Sequence, residues 1–176
     1  MKKIFLFGGV ILLGLFILFM LQRRPSKDSP SVIVTDYKNS IYQIDGQMVS
    51  LTDGVAHIVV GDGTAPEATV RYFGNEVTGD FNGDGRTDVA FILTHDTGGS
   101  GTFYYVVAAL QTADGYKGTN GMFLGDRIAP QTTEFRNGRI IVNYADRKPG
   151  EPFTMSPSVG VSRYLTISGE KLAEIL

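Results

Sequence analysis

Cysteine is missing from all 176 residues, tryptophan is missing too, and histidine occurs only twice. Without cysteine there is no disulfide, no thiolate metal site, no cysteine nucleophile and no lipid-accepting cysteine near the start. The two histidines, His57 and His95, lie far apart in the chain, so no local cluster of imidazoles offers a zinc site. No P-loop, H-E-x-x-H or G-x-S-x-G pattern occurs; two residues after Ser100 stands Thr102. Gly61-x-Gly63 and Gly83-x-Gly85 each lack the third glycine of a dinucleotide fingerprint. Basic charge is scarce beyond the start. The chain has 16 Lys and Arg against 18 Asp and Glu, and past residue 28 the balance is 11 against 17. A net charge of −6 over that stretch excludes a nucleic-acid footprint.

Long hydrophobic runs are also scarce, with one exception. Residues 4–21 carry no charge for 18 positions, between Lys2-Lys3 and Arg23-Arg24. That length just spans a bilayer core and exceeds the apolar region of a cleaved signal, and no small-x-small cleavage site follows. The reading is an uncleaved anchor, residues 1–24, then a linker, residues 25–38, whose first part, Pro25 to Ser31, is polar and proline-bearing. The three-residue head and export-like start favour a cytoplasmic N-terminus, with residues 39–176 outside the cytoplasm. The charges flanking the run barely discriminate between orientations.

What remains is rich in glycine, 22 residues, with 11% aromatics, as suits a turn-dense β protein. Asp45-Gly46 between Ile41-Tyr42-Gln43-Ile44 and Gln47-Met48-Val49-Ser50-Leu51 predicts a hairpin, because Asp-Gly supplies the positive φ angles of a type I′ turn. Asn137-Gly138 predicts another, and Asp53-Gly54 and Asp114-Gly115 predict further turns. Residues 89–93 and 103–110 are apolar on both faces, which places them centrally and covered on both sides. The nine residues between them are too few for a crossover, so the two strands are antiparallel neighbours. Residues 116–123 read as one strand. Residues 146–157 hold Pro149, Pro152 and Pro157 and read as an irregular excursion. The fold expected is mainly β, an antiparallel sandwich or partly open barrel of about ten strands behind one transmembrane helix.

One stretch carries chemistry: Gly79-Asp80-Phe81-Asn82-Gly83-Asp84-Gly85-Arg86-Thr87-Asp88. Oxygen-bearing side chains alternate at Asp80, Asn82 and Asp84, and Asp88 closes the run. Calcium takes six to eight oxygens, and a tight loop can aim alternate side chains inward. The Arg86 carbonyl would add an oxygen, and Gly85 stands where the chain must turn. The spacing follows the first nine positions of an EF-hand loop, but the twelfth is Phe91 rather than Glu, so Asp88 would close the site. A strand follows instead of a helix. The run therefore resembles the D-x-N-x-D-G-x-x-D loops of FG-GAP repeats, which join two strands, and Phe73-Gly74 upstream matches the F-G of that name. The same residues also suit a hairpin turn that holds no metal.

Other residues invite catalysis. His95, Asp96 and Ser100 share one glycine-rich loop, and Asp126-Arg127 follows a strand. Either set would serve an envelope hydrolase, the alternative reading here. The plainer readings are a hairpin loop and an ion pair that pins a loop, since the planar guanidinium suits carboxylate clamping. His57 reads as a strand residue. Tyr104 and Tyr105 point to opposite faces, so at least one is core.

The order of segments over residues 40–175 resembles a family. An Asp-Gly hairpin leads to Gly79-Asp80-x-Asn82-Gly83-Asp84-Gly85-x-x-Asp88. Gly98-Gly99-Ser100-Gly101-Thr102-Phe103, Leu124-Gly125-Asp126-Arg127, Asn137-Gly138-Arg139-Ile140 and a proline-rich turn follow. This is similar to exported, membrane-attached bacterial domains of the LppP/LprE lipoprotein type, which carry no assigned activity. The resemblance implies attachment to the membrane and a β domain. It does not extend to lipidation or a disulfide, since relatives place cysteines where Met155-Ser156-Pro157-Ser158 and the apolar N-terminus stand here. The resulting expectation is a non-enzymatic, membrane-tethered binding or envelope-associated module. Structural calcium would sit on Asp80, Asn82, Asp84, Arg86 and Asp88.

Overall fold

Residue pairs that tolerate positive φ decide where this chain folds back. Asp45 and Gly46 take φ of 52° and 78°, and Asn137 and Gly138 take 54° and 70°. Both pairs close two-residue hairpins, as their side chains predict. The computed structural model describes residues 35–59 and 67–175. The apolar run at residues 4–21, expected to be the membrane anchor, lies outside the described residues. Among the described residues no helix is long and apolar enough to cross a membrane.

The structure is mainly β, with antiparallel sheets. Twelve strands occur among the described residues, against about ten expected: β1 (Ile41–Ile44), β2 (Gln47–Ser50), β3 (Val55–Ile58), β4 (Ala68–Gly79), β5 (Asp88–Asp96), β6 (Phe103–Thr112), β7 (Gly115–Gly118), β8 (Met122–Asp126), β9 (Ala129–Arg136), β10 (Arg139–Asp146), β11 (Val159–Ser168) and β12 (Lys171–Glu174). β1 and β2 form a hairpin of their own. A six-stranded sheet runs β3-β4-β5-β6-β7, with β8 beside β7 on the free side of β6, and a four-stranded sheet runs β12-β11-β10-β9.

β5 and β6 pair from Val89–Ala109 to His95–Phe103, as their double-sided apolarity implied. One face of this pair presents Phe91, Leu93, Tyr105 and Val107 to Tyr42, Ile44 and Val49 of the β1–β2 hairpin and to Leu51 just after it. The other face presents Ala90, Ile92, Val106 and Ala108 to Ile140, Val142 and Tyr144 of β10, Leu165 of β11 and Leu172 of β12. A side chain of this size, fully buried, contributes about 1.5–3 kcal/mol. Tyr37, expected in the linker, instead sits in a short 3-10 turn and packs on Phe91 at a ring distance of 5.4 Å.

The stretch read as one strand, residues 116–123, divides into β7 and β8. Gly118 and Gly121 cause the break. A β carbon on Gly118 would lie 2.2 Å from the Ile41 carbonyl oxygen, and one on Gly121 would lie 2.7 Å from the Ile44 side chain. Between them the buried Thr119 hydroxyl accepts the Ala108 amide at 3.0 Å, replacing a ladder bond.

Candidate cation loop

The loop from Asp80 to Thr87 joins β4 to β5, and its own amides shape it. Asp80 Oδ1 accepts the amides of Gly83 (2.7 Å) and Asp84 (3.0 Å), and its Oδ2 accepts that of Gly85 (2.9 Å). Asn82 Oδ1 takes the Asp84 amide at 3.1 Å, and Asp84 Oδ1 takes the Arg86 amide at 2.8 Å. Gly83 and Gly85 hold φ of 80° and 82°, the left-handed region that favours glycine. These bonds draw the oxygens of Asp80, Asn82 and Asp84 onto a single tight turn. All three side chains remain exposed.

Asp88 differs from them. It is fully buried at 0% exposure, at the first position of β5. Its Oδ2 accepts the Phe81 amide at 3.0 Å and its Oδ1 accepts the Gln111 amide, from β6, at 2.8 Å. Phe81 in turn is buried against Phe135 of β9, ring centroids 4.9 Å apart. One carboxylate thus ties the loop, β5 and β6 together. Burial pushes its carboxyl above the usual range; the two amides oppose this, and the charges of Asp84 and Asp80 add to it. Against these three carboxylates stands Arg86, 3.5 Å from Asp84 Oδ2.

The donor set is entirely hard oxygen, which suits calcium or magnesium and not a soft metal. Asp80 Oδ1 already takes two amides, whereas Asp80 Oδ2, Asp84 Oδ1 and both Asp88 oxygens take one each and keep a lone pair for a further partner. The charges are close enough to repel. Among the described residues, however, no three Asp, Glu or His side chains stand in a ready ligand arrangement. The loop is closed by its own amides, and its residues suit a hard cation by the chemistry of their donors.

The other candidate residues take structural positions. Asp126 clamps Arg127 in a two-pronged pair at 3.1 and 2.8 Å and also accepts the Thr102 amide at 2.9 Å. Arg127 holds the Asp126 carboxyl below its ordinary range. The Arg127 carbonyl accepts Arg147 Nη1 at 2.9 Å, which fastens the residues after β10 to this corner. His95 lies on β5, its ring 6.3 Å from that of Tyr105, with a buried Nδ1 that finds no partner. Among the described residues no hydrogen bond joins His95 to a serine hydroxyl or a carboxylate, and Ser100 is exposed. His57 is exposed on β3, 3.5 Å from Glu67.

Two features had no sequence signal. The amides that engage Asp88 belong to Phe81 and Gln111, and a backbone donor leaves no trace in residue type. Tyr37 and Tyr72 both donate to Glu76 Oε2 at 2.7 Å, across a separation of 39 residues in the first case. In comparisons with known protein families, curated proteins and solved structures, the chain matched none.

Proposed function

We propose that this chain is a non-enzymatic, membrane-tethered β domain, held outside the cytoplasm by residues 4–21, that serves as a binding or envelope-associated module. The loop of Asp80, Asn82, Asp84, Arg86 and Asp88 holds a structural calcium ion, with the Arg86 carbonyl as one ligand. The sandwich form of the fold is favoured over the barrel, because alternate residues of β5 and β6 feed two separate cores. The resemblance of its segment order to LppP/LprE-type exported domains supports the placement, as does the acidic balance past residue 28.

One observation carries the calcium reading. Asp80, Asp84 and the buried Asp88 bring like charges onto one short loop, and the cation paired there is the exposed Arg86, 3.5 Å from Asp84. A dication reverses the sign of that repulsion. The hydrolase alternative has no comparable support, since Asp126 and Arg127 satisfy each other and His95 meets no nucleophile.

The test is thermal unfolding of the full chain in a nonionic detergent, in chelator and in rising calcium. Extracellular calcium modules bind at roughly 10⁻⁴–10⁻³ M. At ten times Kd the ion adds about 1.4 kcal/mol, or ~4 °C in Tm for a domain of this size. The Asp84→Asn variant is expected to lose most of the response. Superimposable curves from chelator to millimolar calcium would remove the ion from the proposal.

A further inference from the structure

The β9–β10 hairpin carries a second feature, remote in sequence from the loop at 80–88 and using none of its residues. A pocket of about 480 Å³ opens on the outer side of the four-stranded sheet, lined by Arg136, Asn137, Arg139, Ile141 and Tyr164. Its place follows from register. Arg136 and Arg139 are direct cross-strand partners beside the Asn137-Gly138 turn, and Ile141 is the direct partner of Tyr164 on β11. Ile140 and Val142 point into the core, so Ile141 points away from it. It is nonetheless 6% exposed, while Tyr164 is 43% exposed.

Two like charges directly opposite on a hairpin repel, and such pairs are disfavoured without a compensating group. Glu134 offers partial relief, 3.8 Å from Arg136. Among the described residues Arg139 has no carboxylate within ion-pair distance. Two guanidinium forks therefore flank an apolar floor and an available tyrosine ring. The volume lies within the ~300–1,000 Å³ of small-molecule sites. Arginine forks match carboxylate and phosphate oxygens two at a time. An exposed tyrosine ring supplies a flat amphipathic surface for the rest of the ligand.

We infer that this pocket binds an anionic monosaccharide unit, a sugar carrying a carboxylate or a phosphate. The anion bridges Arg136 and Arg139, and the ring lies on Tyr164 above Ile141. Occupation removes the arginine–arginine repulsion, so binding and hairpin stability rise together.

The experiment is a nuclear magnetic resonance titration of the labelled full chain in nonionic micelles, with glucuronate, glucose 6-phosphate, glucose and inorganic phosphate. The amides of Asn137, Gly138, Ile141 and Tyr164 are expected to shift with both anionic sugars, with Kd near a millimolar. The stronger of the two identifies the anion. Arg139→Gln is expected to weaken binding about tenfold, the loss of one charge-assisted fork, without lowering Tm. Tyr164→Ala is expected to bring the sugar anions down to the affinity of inorganic phosphate. Lys148→Gln, on the excursion after β10, is expected to leave binding unchanged. Glucose shifting these amides as strongly as the anions overturns the proposal, as does an Arg139→Gln protein that binds like the parent. Inorganic phosphate equalling the sugar phosphate on the parent protein overturns the ring contact. No shift at about 10 mM, ten times the expected Kd, overturns it entirely. Calcium dependence of Tm is independent of every one of these outcomes.

Discussion

Asp88 lends itself to a quantitative test. It is fully buried, and each of its oxygens takes one backbone amide. A hydrogen bond to a charged group contributes about 1.5–3 kcal/mol, and a buried donor left without a partner costs about 1–3 kcal/mol. Asp88→Ala strands the Phe81 and Gln111 amides together, a loss of about 4 kcal/mol. Asp88→Asn keeps one acceptor and turns an NH₂ toward the other amide. It also relieves a buried charge, so the net loss falls to about 2 kcal/mol. With a urea m-value near 2 kcal/mol/M, the midpoints drop by ~2 M and ~1 M. Equilibrium urea unfolding followed by far-ultraviolet circular dichroism, in chelator, measures both. The two variants are expected to share the parent's m-value. The pH dependence adds a sign. A carboxyl whose folded pKa is raised binds more protons folded than unfolded, between the ordinary value of about 3.9 and the raised one. Stability from this group therefore grows as pH falls through that window, and the gap between the parent and Asp88→Asn widens on acidification. An Asp88→Asn midpoint equal to the parent's at neutral pH would refute the account of this residue as the tie between loop and sheet.

Other outcomes follow from the same structure. Calcium is expected to lower the Asp88 carboxyl pKa, read from its ¹³C shift, and a pKa that does not move with saturating calcium contradicts the proposed ion. Tyr72 titrates at about 12, raised first by burial and then by its bond to Glu76. In Glu76→Gln the Tyr72 ¹³Cζ titration is expected to fall yet stay above its ordinary value, and no change would deny the Tyr–Glu bond. Gly118→Ala places a β carbon against the Ile41 carbonyl and the Tyr42 ring; a loss of about 3 kcal/mol in urea unfolding is expected. Ile92→Ala empties a site between the two large sheets, with an expected loss of about 4 kcal/mol; under 1 kcal/mol would mean the sheets do not meet there.

Local chemistry made much of the sheet legible. Asp45-Gly46 and Asn137-Gly138 specify their turns through backbone freedom that few residues have, and the double-sided apolarity of β5 and β6 specifies a covered position. Contacts remote in sequence were not legible. Gly118 and Gly121 read as neutral members of a strand until Ile41, Tyr42 and Ile44 arrive from 75 or more residues upstream to forbid a side chain. β4 continues to Gly79 through an irregularity at Phe73–Glu76, where Asn75 takes φ of 55°, and nothing in its composition marks that extension. At the loop, the residue types announced oxygen chemistry. They did not announce that Asp88 would turn inward to the sheet while Asp80 and Asp84 stayed in solvent, because that division depends on where Phe81 finds its pocket.

The paired strands β5 and β6 have a consequence for turnover. Their alternate side chains belong to opposite interiors, so displacing either strand opens both at once. A protease that cuts within β5 or β6 must wait for an opening that spans both interiors, whereas the outer hairpin and the outer sheet can loosen on their own. Cleavage inside these two strands is then set by the rarest opening of the domain, and cleavage elsewhere by commoner ones.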